Sequence, residues 1–181
     1  MFCLRLISVA LVALLSTVSV QAQSAGSFFD ENEPQVYRPV KKITELSNQG
    51  QKREALALAE SELKKNEKNV QIRFLRGVLL NDLNRKDEAR SVFEQMIRDY
   101  PEIAEPYNNL AVMYASEGNI GQAKELLERA VSNNSKSFVT FSNLGDIYLA
   151  QARDAYRQAL RIAPGNKRMQ KRLNEVELLL K

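Results

Sequence analysis

Residues Ala104–Ser137 read AEPYNNLAVMYASEGNIGQAKELLERAVSNNSKS, and their spacing decides the fold. Tyr107, Leu110, Ala111 and Tyr114 recur at steps of three and four residues, which sets them on one face of a helix. Gly118-Asn119 interrupts the pattern, as suits a turn that needs positive φ. Ala123, Leu126, Leu127, Ala130 and Val131 restart it, and the polar run Ser132–Lys136 closes it. This is the pattern of two antiparallel helices joined by a short turn, with small residues letting the axes approach and large ones filling the space beside them.

The same pattern repeats outward in both directions. Ala55, Ala89 and Ala123 stand 34 residues apart. Leu46, Leu80, Tyr114 and Tyr148 form a large apolar column at that step, and Leu63, Ile97 and Val131 an aliphatic one. Gly77, Ala111 and Gly145 are small, and Gly50, Asn84 and Gly118 suit turns. Five parallel columns define a tandem array of helical hairpins.

The pattern resembles the tetratricopeptide-repeat family, whose unit is about 34 residues long. Ala104–Ser137 carries the match best, through Tyr107, Leu110-Ala111, Tyr114, Gly118, Ala123, Leu127 and Ala130. Val70–Ile103 follows through Gly77, Leu80, Ala89, Phe93 and Pro101, but has Arg76 where a leucine is usual. Val36–Asn69 follows through Leu46, Gly50, Ala55 and Leu63, with Glu62 where the family has alanine, as a terminal capping repeat would. The resemblance implies an all-α, right-handed superhelical stack of antiparallel helix pairs, a solenoid, over residues 36–166 in units 36–69, 70–103, 104–137 and a shortened 138–166.

The last unit departs from the family. Phe138–Tyr148 keeps the 34-residue step, whereas Ala152, Ala159 and Leu160 follow Ala123, Ala130 and Val131 by only 29. The five missing residues are those of the turn. Phe141, Leu144, Tyr148, Ala152, Ala155, Ala159 and Ile162 stay in helical phase across the gap, and neither Pro nor glycine interrupts Asp146–Ala163. One continuous helix from about Phe138 to Ala163, ended by Pro164-Gly165, is expected; the alternative is a sharp turn near Ala150. A capping helix within residues 167–181, with Met169, Leu173, Val176 and Leu180 on one face, folds back on it, and any leftover apolar stripe is a natural homodimer contact.

Composition limits the chemistry. The chain has 181 residues, 26 Lys+Arg against 22 Asp+Glu, one cysteine and no histidine or tryptophan. Without histidine there is no Ser-His or Cys-His nucleophile pair, and a lone cysteine makes neither a thiolate zinc site nor an internal disulfide. The carboxylates sit at ion-pair spacing, as in Glu60 with Lys64 and Glu125 with Arg129, and no phosphate loop or metal-ligand spacing is present. The expectation is a non-enzymatic protein with no cofactor, no metal and no nucleic-acid partner.

The amino terminus has the form of a secretory signal. Arg5 precedes the uncharged run Leu6–Val20, and Val20-Gln21-Ala22 offers short side chains before a cut after Ala22, or alternatively after Ala25. A run of 15 residues is short for a membrane span, although an uncleaved anchor is the other reading. Residues 1–22 are thus expected to be a signal peptide and 23–35 a disordered linker, with the mature protein exported across the inner membrane, most simply to the periplasm. Cys3 would leave with the signal.

The resemblance implies that the first helices line a concave groove, with side chains one position off the buried stripe pointing into it. Those are Gln71, Phe74, Leu75 and Val78; Glu105, Asn108, Asn109 and Val112; and Ser142, Asn143 and Asp146. Asn109 and Asn143 carry both a donor and an acceptor, so they are expected to grip the main chain of an extended peptide, or else to bond neighbouring helices or water. Phe74, Leu75 and Val78 would form an apolar specificity pocket. Lys41 is the single cation at a matching position, which argues against a carboxylate clamp. The function these features point to is a scaffold of the cell envelope that binds a partner peptide or helix. The alternative is a structural subunit held through its outer surface or its basic end, Arg157, Arg161, Lys167, Arg168, Lys171 and Arg172, with only peripheral membrane contact.

Overall fold

A computed structural model describes residues 38–180. The expected signal and linker lie outside the described residues. Eight helices and no strand occur among the described residues: α1 (Arg38–Asn48), α2 (Lys52–Lys65), α3 (Val70–Asp82), α4 (Lys86–Asp99), α5 (Ala104–Ser116), α6 (Ile120–Asn133), α7 (Phe138–Ile162) and α8 (Lys167–Leu179). Each helix packs against the next, and α1 also meets α3 as α5 meets α7.

Turn chemistry sets the hairpins. Gly50, Asn84 and Gly118, the three turn residues of the repeat, all have positive φ, at 79°, 61° and 83°. Only residues that tolerate the left-handed region close these turns without steric cost, and Asn is the side chain that does so best after glycine. Three of the helices that open a new pair are capped at the repeat's register. Asn69 Oδ1 accepts from Ile72 N, Ser137 Oγ from Thr140 N and Asn166 Oδ1 from Met169 N, at 3.0, 3.3 and 3.1 Å. Asn66 and Asn134 make identical turns, each accepting from the backbone N–H two residues on. The Pro101 carbonyl accepts from both Tyr107 Oη and Asn133 Nδ2, which ties the α4–α5 connection to α6.

The core follows the columns. Ala55, Ala89 and Ala123 are fully buried, as are Phe93 and Leu127 one turn further on. Phe93 lies against Gly77, where an added Cβ would sit 2.6 Å from its Cε1. The family departures bear charge at seams between helices. Glu60, expected to pair along its own helix with Lys64, has its Oε1 3.6 Å from Arg76 Nε on α3 instead. Arg76 thus takes a cross-helix ion pair where the family has a leucine. Buried Glu62 accepts a hydrogen bond from Lys65 Nζ at 2.6 Å.

The last pair has no turn. α7 is one 25-residue helix through the position where a turn near Ala150 would lie, about 37 Å long. Its Thr140, Asn143, Leu144, Ile147 and Ala150 are buried. α8 opens 29 residues after α7 does, stands where the first helix of a further pair would, and docks on α7 with Leu173 and Leu180 buried and Arg157 joined to Glu177 at 2.6 Å. Among the described residues no helix is long and apolar enough to cross a membrane.

Candidate functional site

The candidate site is the shared face of α3, α5 and α7. Its residues fall into columns one repeat apart: Phe74, Asn108 and Ser142; Leu75, Asn109 and Asn143; Val78, Val112 and Asp146; with Gln71 and Glu105 at the outer edge. The face therefore changes from apolar on α3 to amide and carboxylate on α5 and α7.

Two of the expected pocket residues belong elsewhere. Phe74 and Leu75 are sealed in the core with Val40, Ile43, Leu79 and Phe93, and the Phe74 and Phe93 rings meet at a centroid distance of 6.0 Å. They hold α1 to α3 and α4 and form no open pocket. The reason is geometric: α3 has neighbours on both sides, so positions one step off its main stripe are covered as well. Val78 and Gln71 remain half-buried, Val78 against that same cluster.

The amides are more tightly placed than their spacing implies. Asn143 Nδ2 donates to Asn108 Oδ1 at 3.0 Å, joining α7 to α5 through two fully buried side chains. Asn109 Nδ2 turns back to the Glu105 carbonyl one helical turn earlier, at 3.0 Å. The structure thus supplies the neighbouring-helix partner for Asn143 and a same-helix partner for Asn109. One amide atom stands apart. Asn108 Nδ2 is buried and has no hydrogen-bond partner among the described residues. A buried donor left unpaired costs about 1–3 kcal/mol, so this amide weakens the α5–α7 seam it helps to form.

Two carboxylates border these amides. Burial raises the pKa of Glu105 above the usual carboxylate value, offset in part by a hydrogen bond from its own backbone N–H. Burial likewise raises Asp146. Neither has an ion-pair partner among the described residues. Both are acids whose charged form lacks a cation. Val112 is half-buried and Ser142 exposed between them, and Lys41 is exposed on α1, at the apolar end.

A separate hollow of about 500 Å³, lined by Leu63, Lys68, Arg73, Arg76 and Asp99, opens away from these columns. Two of its charges are paired, since Arg73 bonds Asp99 at 2.7 Å and lies over the Tyr100 ring. No group of three or more His, Cys, Asp or Glu side chains placed to hold a metal exists among the described residues.

Comparison with known proteins agrees with the architecture. The family model described as Psidin, N-terminal TPR repeats region, matches residues 37–158. The TPR repeat-containing protein YvcD of Bacillus subtilis (strain 168) is 33% identical over 67 residues, 37% of this chain, and the match spans 14% of that relative's length. The chain resembles TTC0263, a thermophilic TPR protein of Thermus thermophilus, with a TM-score of 0.59 at 19% identity over 79% of this chain and 81% of the other. It resembles the first TPR of Spaghetti (RPAP3), solved bound to the HSP90 peptide SRMEEVD, with a TM-score of 0.58 at 17% identity over 64% of this chain and 91% of the other. At these identities the likeness to solved structures is one of fold.

Proposed function

Because this chain belongs to the tetratricopeptide-repeat family, we propose that it is a non-enzymatic interaction scaffold whose α3–α5–α7 face holds an extended peptide or helix of a partner protein. The observation that carries this reading is Asp146, a half-buried carboxylate on that face with no ion-pair partner among the described residues, beside the exposed Ser142. The exposed Ser142 hydroxyl both donates and accepts, so it can hold a peptide main chain without reading its side chains. Specificity comes from the desolvated acids beside it. Glu105 and Asp146 favour a peptide that brings a Lys or Arg side chain, because a cation offsets the burial that raises their pKa values.

The charge preference is thus opposite to that implied for the Spaghetti domain, whose bound peptide SRMEEVD carries three acidic side chains. Lys41 lies at the far end of the face and is the one cation of the matching column. The amino-terminal signal pattern supports a scaffold of the cell envelope, exported to the periplasm. The second reading, attachment through the basic end, draws on the exposed Lys167, Arg168, Lys171 and Arg172 of α8. Arg157 and Arg161 contribute less to it, since they bond Glu177 and Gln158. Deleting residues 167–181 would release the protein from membranes on that reading and leave it unmoved on the first.

Binding of the purified chain to an array of random ten-residue peptides tests the proposal. Peptides containing Lys or Arg are expected to be selected, Asp146→Asn to weaken them about five- to tenfold, and Glu105→Gln to reduce the basic preference further. Uniform binding across the array, or unchanged binding by both variants, would contradict it.

A further inference from the structure

The outward face of α7 carries a line of residues whose counterparts on α5, Tyr107 and Ala111, are buried while its own Phe141 and Gly145 are exposed. From Phe138 to Ile162 apolar or small residues recur at strictly alternating steps of three and four, the spacing of a coiled-coil seam. Phe138 and Ile162 are 79% and 78% exposed, and Phe141 and Tyr148 48% and 47%. The opposite face, with Asn143, Ile147 and Ala150, is the one buried against the preceding helices.

The repeat register explains why this face is open at its large residues, of which Tyr148 has, among the described residues, only Lys124 of α6 over its ring, at 5.9 Å. In the second pair Gly77 is covered by Phe93, and in the third the equivalent Ala111 is fully buried and Leu127 stands in Phe93's place. In the last unit the equivalents are Gly145 and Tyr156. Gly145 is exposed, and a Cβ there would meet nothing within 4 Å. Tyr156 lies 11 residues further along the same rod, about 16 Å away, and cannot reach back. α7 therefore carries both halves of one hairpin interface at its two ends, each half lacking its mate.

We propose that the mate is a second copy of this chain: two α7 helices pair antiparallel about a twofold axis near Ala150, each copy supplying the half-hairpin the other lacks. Two independent registers agree on that axis. The hairpin equivalence sets Gly145 opposite Tyr156 of the second copy. Pairing seam to seam sets Phe138 opposite its Ile162, Phe141 opposite its Ala159, Gly145 opposite its Ala155 and Tyr148 opposite its Ala152. The two alignments differ by half a residue at the axis. In the second, each aromatic residue of one end except Phe138 faces an alanine of the other, so large meets small along the seam. Such a contact is isologous and closes at two copies. The four large exposed side chains offer on the order of 500 Å² per chain. With the flanking polar residues, the pair reaches the ~1,200 Å² at which specific interfaces begin.

This inference is independent of the peptide-binding reading. Its test uses the full chain with Cys3→Ser as background. Gly145→Cys and Ala155→Cys, in one chain or as a mixture of the two single variants, should give a disulfide-linked dimer on mild oxidation. Each single variant alone should give none, because like positions lie about 15 Å apart across the axis, beyond disulfide reach. Tyr148→Glu should halve the sedimentation mass while circular dichroism stays helical. The proposal is overturned by a chain that sediments as a monomer at about 100 µM, by cross-linking of either single variant alone, or by an intrachain bond in the double variant, which would mean a hairpin. It is equally overturned by an unchanged mass for Tyr148→Glu, or by adsorption of α7 to phosphatidylcholine vesicles in place of self-association.

Discussion

Phe93 Cε1 occupies the space into which a Cβ on Gly77 would project, at 2.6 Å, and this contact sets the distance between α3 and α4. The next pair solves the same problem with Ala111 and Leu127, a slightly larger residue against a smaller one. Gly77→Ala is therefore expected to destabilise the fold by about 1–3 kcal/mol through overpacking. Adding Phe93→Leu, which recreates the third pair's solution, should recover part of that loss. A double-mutant cycle by urea unfolding checks it, and simple additivity would show that the two residues do not share one packing problem.

The turns make a second prediction. Gly118 closes its hairpin at φ 83°, whereas Asn84 closes the preceding one at 61°. Gly118→Ala should cost about 1–2 kcal/mol, the penalty of a Cβ in the left-handed region. Gly118→Asn should cost less. Thermal unfolding of the two variants distinguishes them, and equal losses would mean that the turn's conformation is not the cause.

Removing the amide bridge should loosen the α5–α7 contact. Asn143→Ala deletes the donor to Asn108 Oδ1 and leaves a second polar atom of a fully buried amide unpaired, at a cost of about 1–3 kcal/mol. Faster hydrogen exchange in α7 than in α3 would register it. Uniform exchange would show that the bridge carries no stability.

Glu105 sets a pH dependence. Burial raises its pKa in the folded chain, so the folded state holds this proton to higher pH than the unfolded state does. Its contribution to stability is therefore greatest below the ordinary carboxylate range and falls as pH rises through the raised value. Glu105→Gln should be more stable than the parent at neutral pH, with the difference vanishing in acid. Chemical denaturation across that range is the measurement, and a gap that widens in acid would reverse the sign and refute the assignment.

Much of the fold was legible because the repeat ties backbone and packing requirements to a fixed step. A turn at positive φ admits few residues, so Gly50, Asn84 and Gly118 mark the hairpins before any contact is known. The alanine column is as plain, since only a small side chain fits where two helix axes approach. The face is read less well from spacing. Phe74 and Asn108 share a column and are both fully buried, yet one meets the Phe93 ring and the other the Asn143 amide, because the difference lies in what the neighbouring helices bring against each. The Asn108–Asn143 bond crosses two helices at a spacing of 35 residues, which no local pattern encodes. Arg76 reads as a departure from the family until Glu60 is found beside it.

Site-specific photo-crosslinking in the native host separates binding on the α3–α5–α7 face from binding on the outer surface. Ser142 is exposed on the proposed binding face, and Glu128 is exposed on α6, a second helix of its pair. A photoreactive phenylalanine analogue at Ser142 is predicted to capture a partner protein through a Lys- or Arg-containing segment, while the same probe at Glu128 captures none. Capture from Glu128 with none from Ser142 would place recognition on the outer surface and contradict the account.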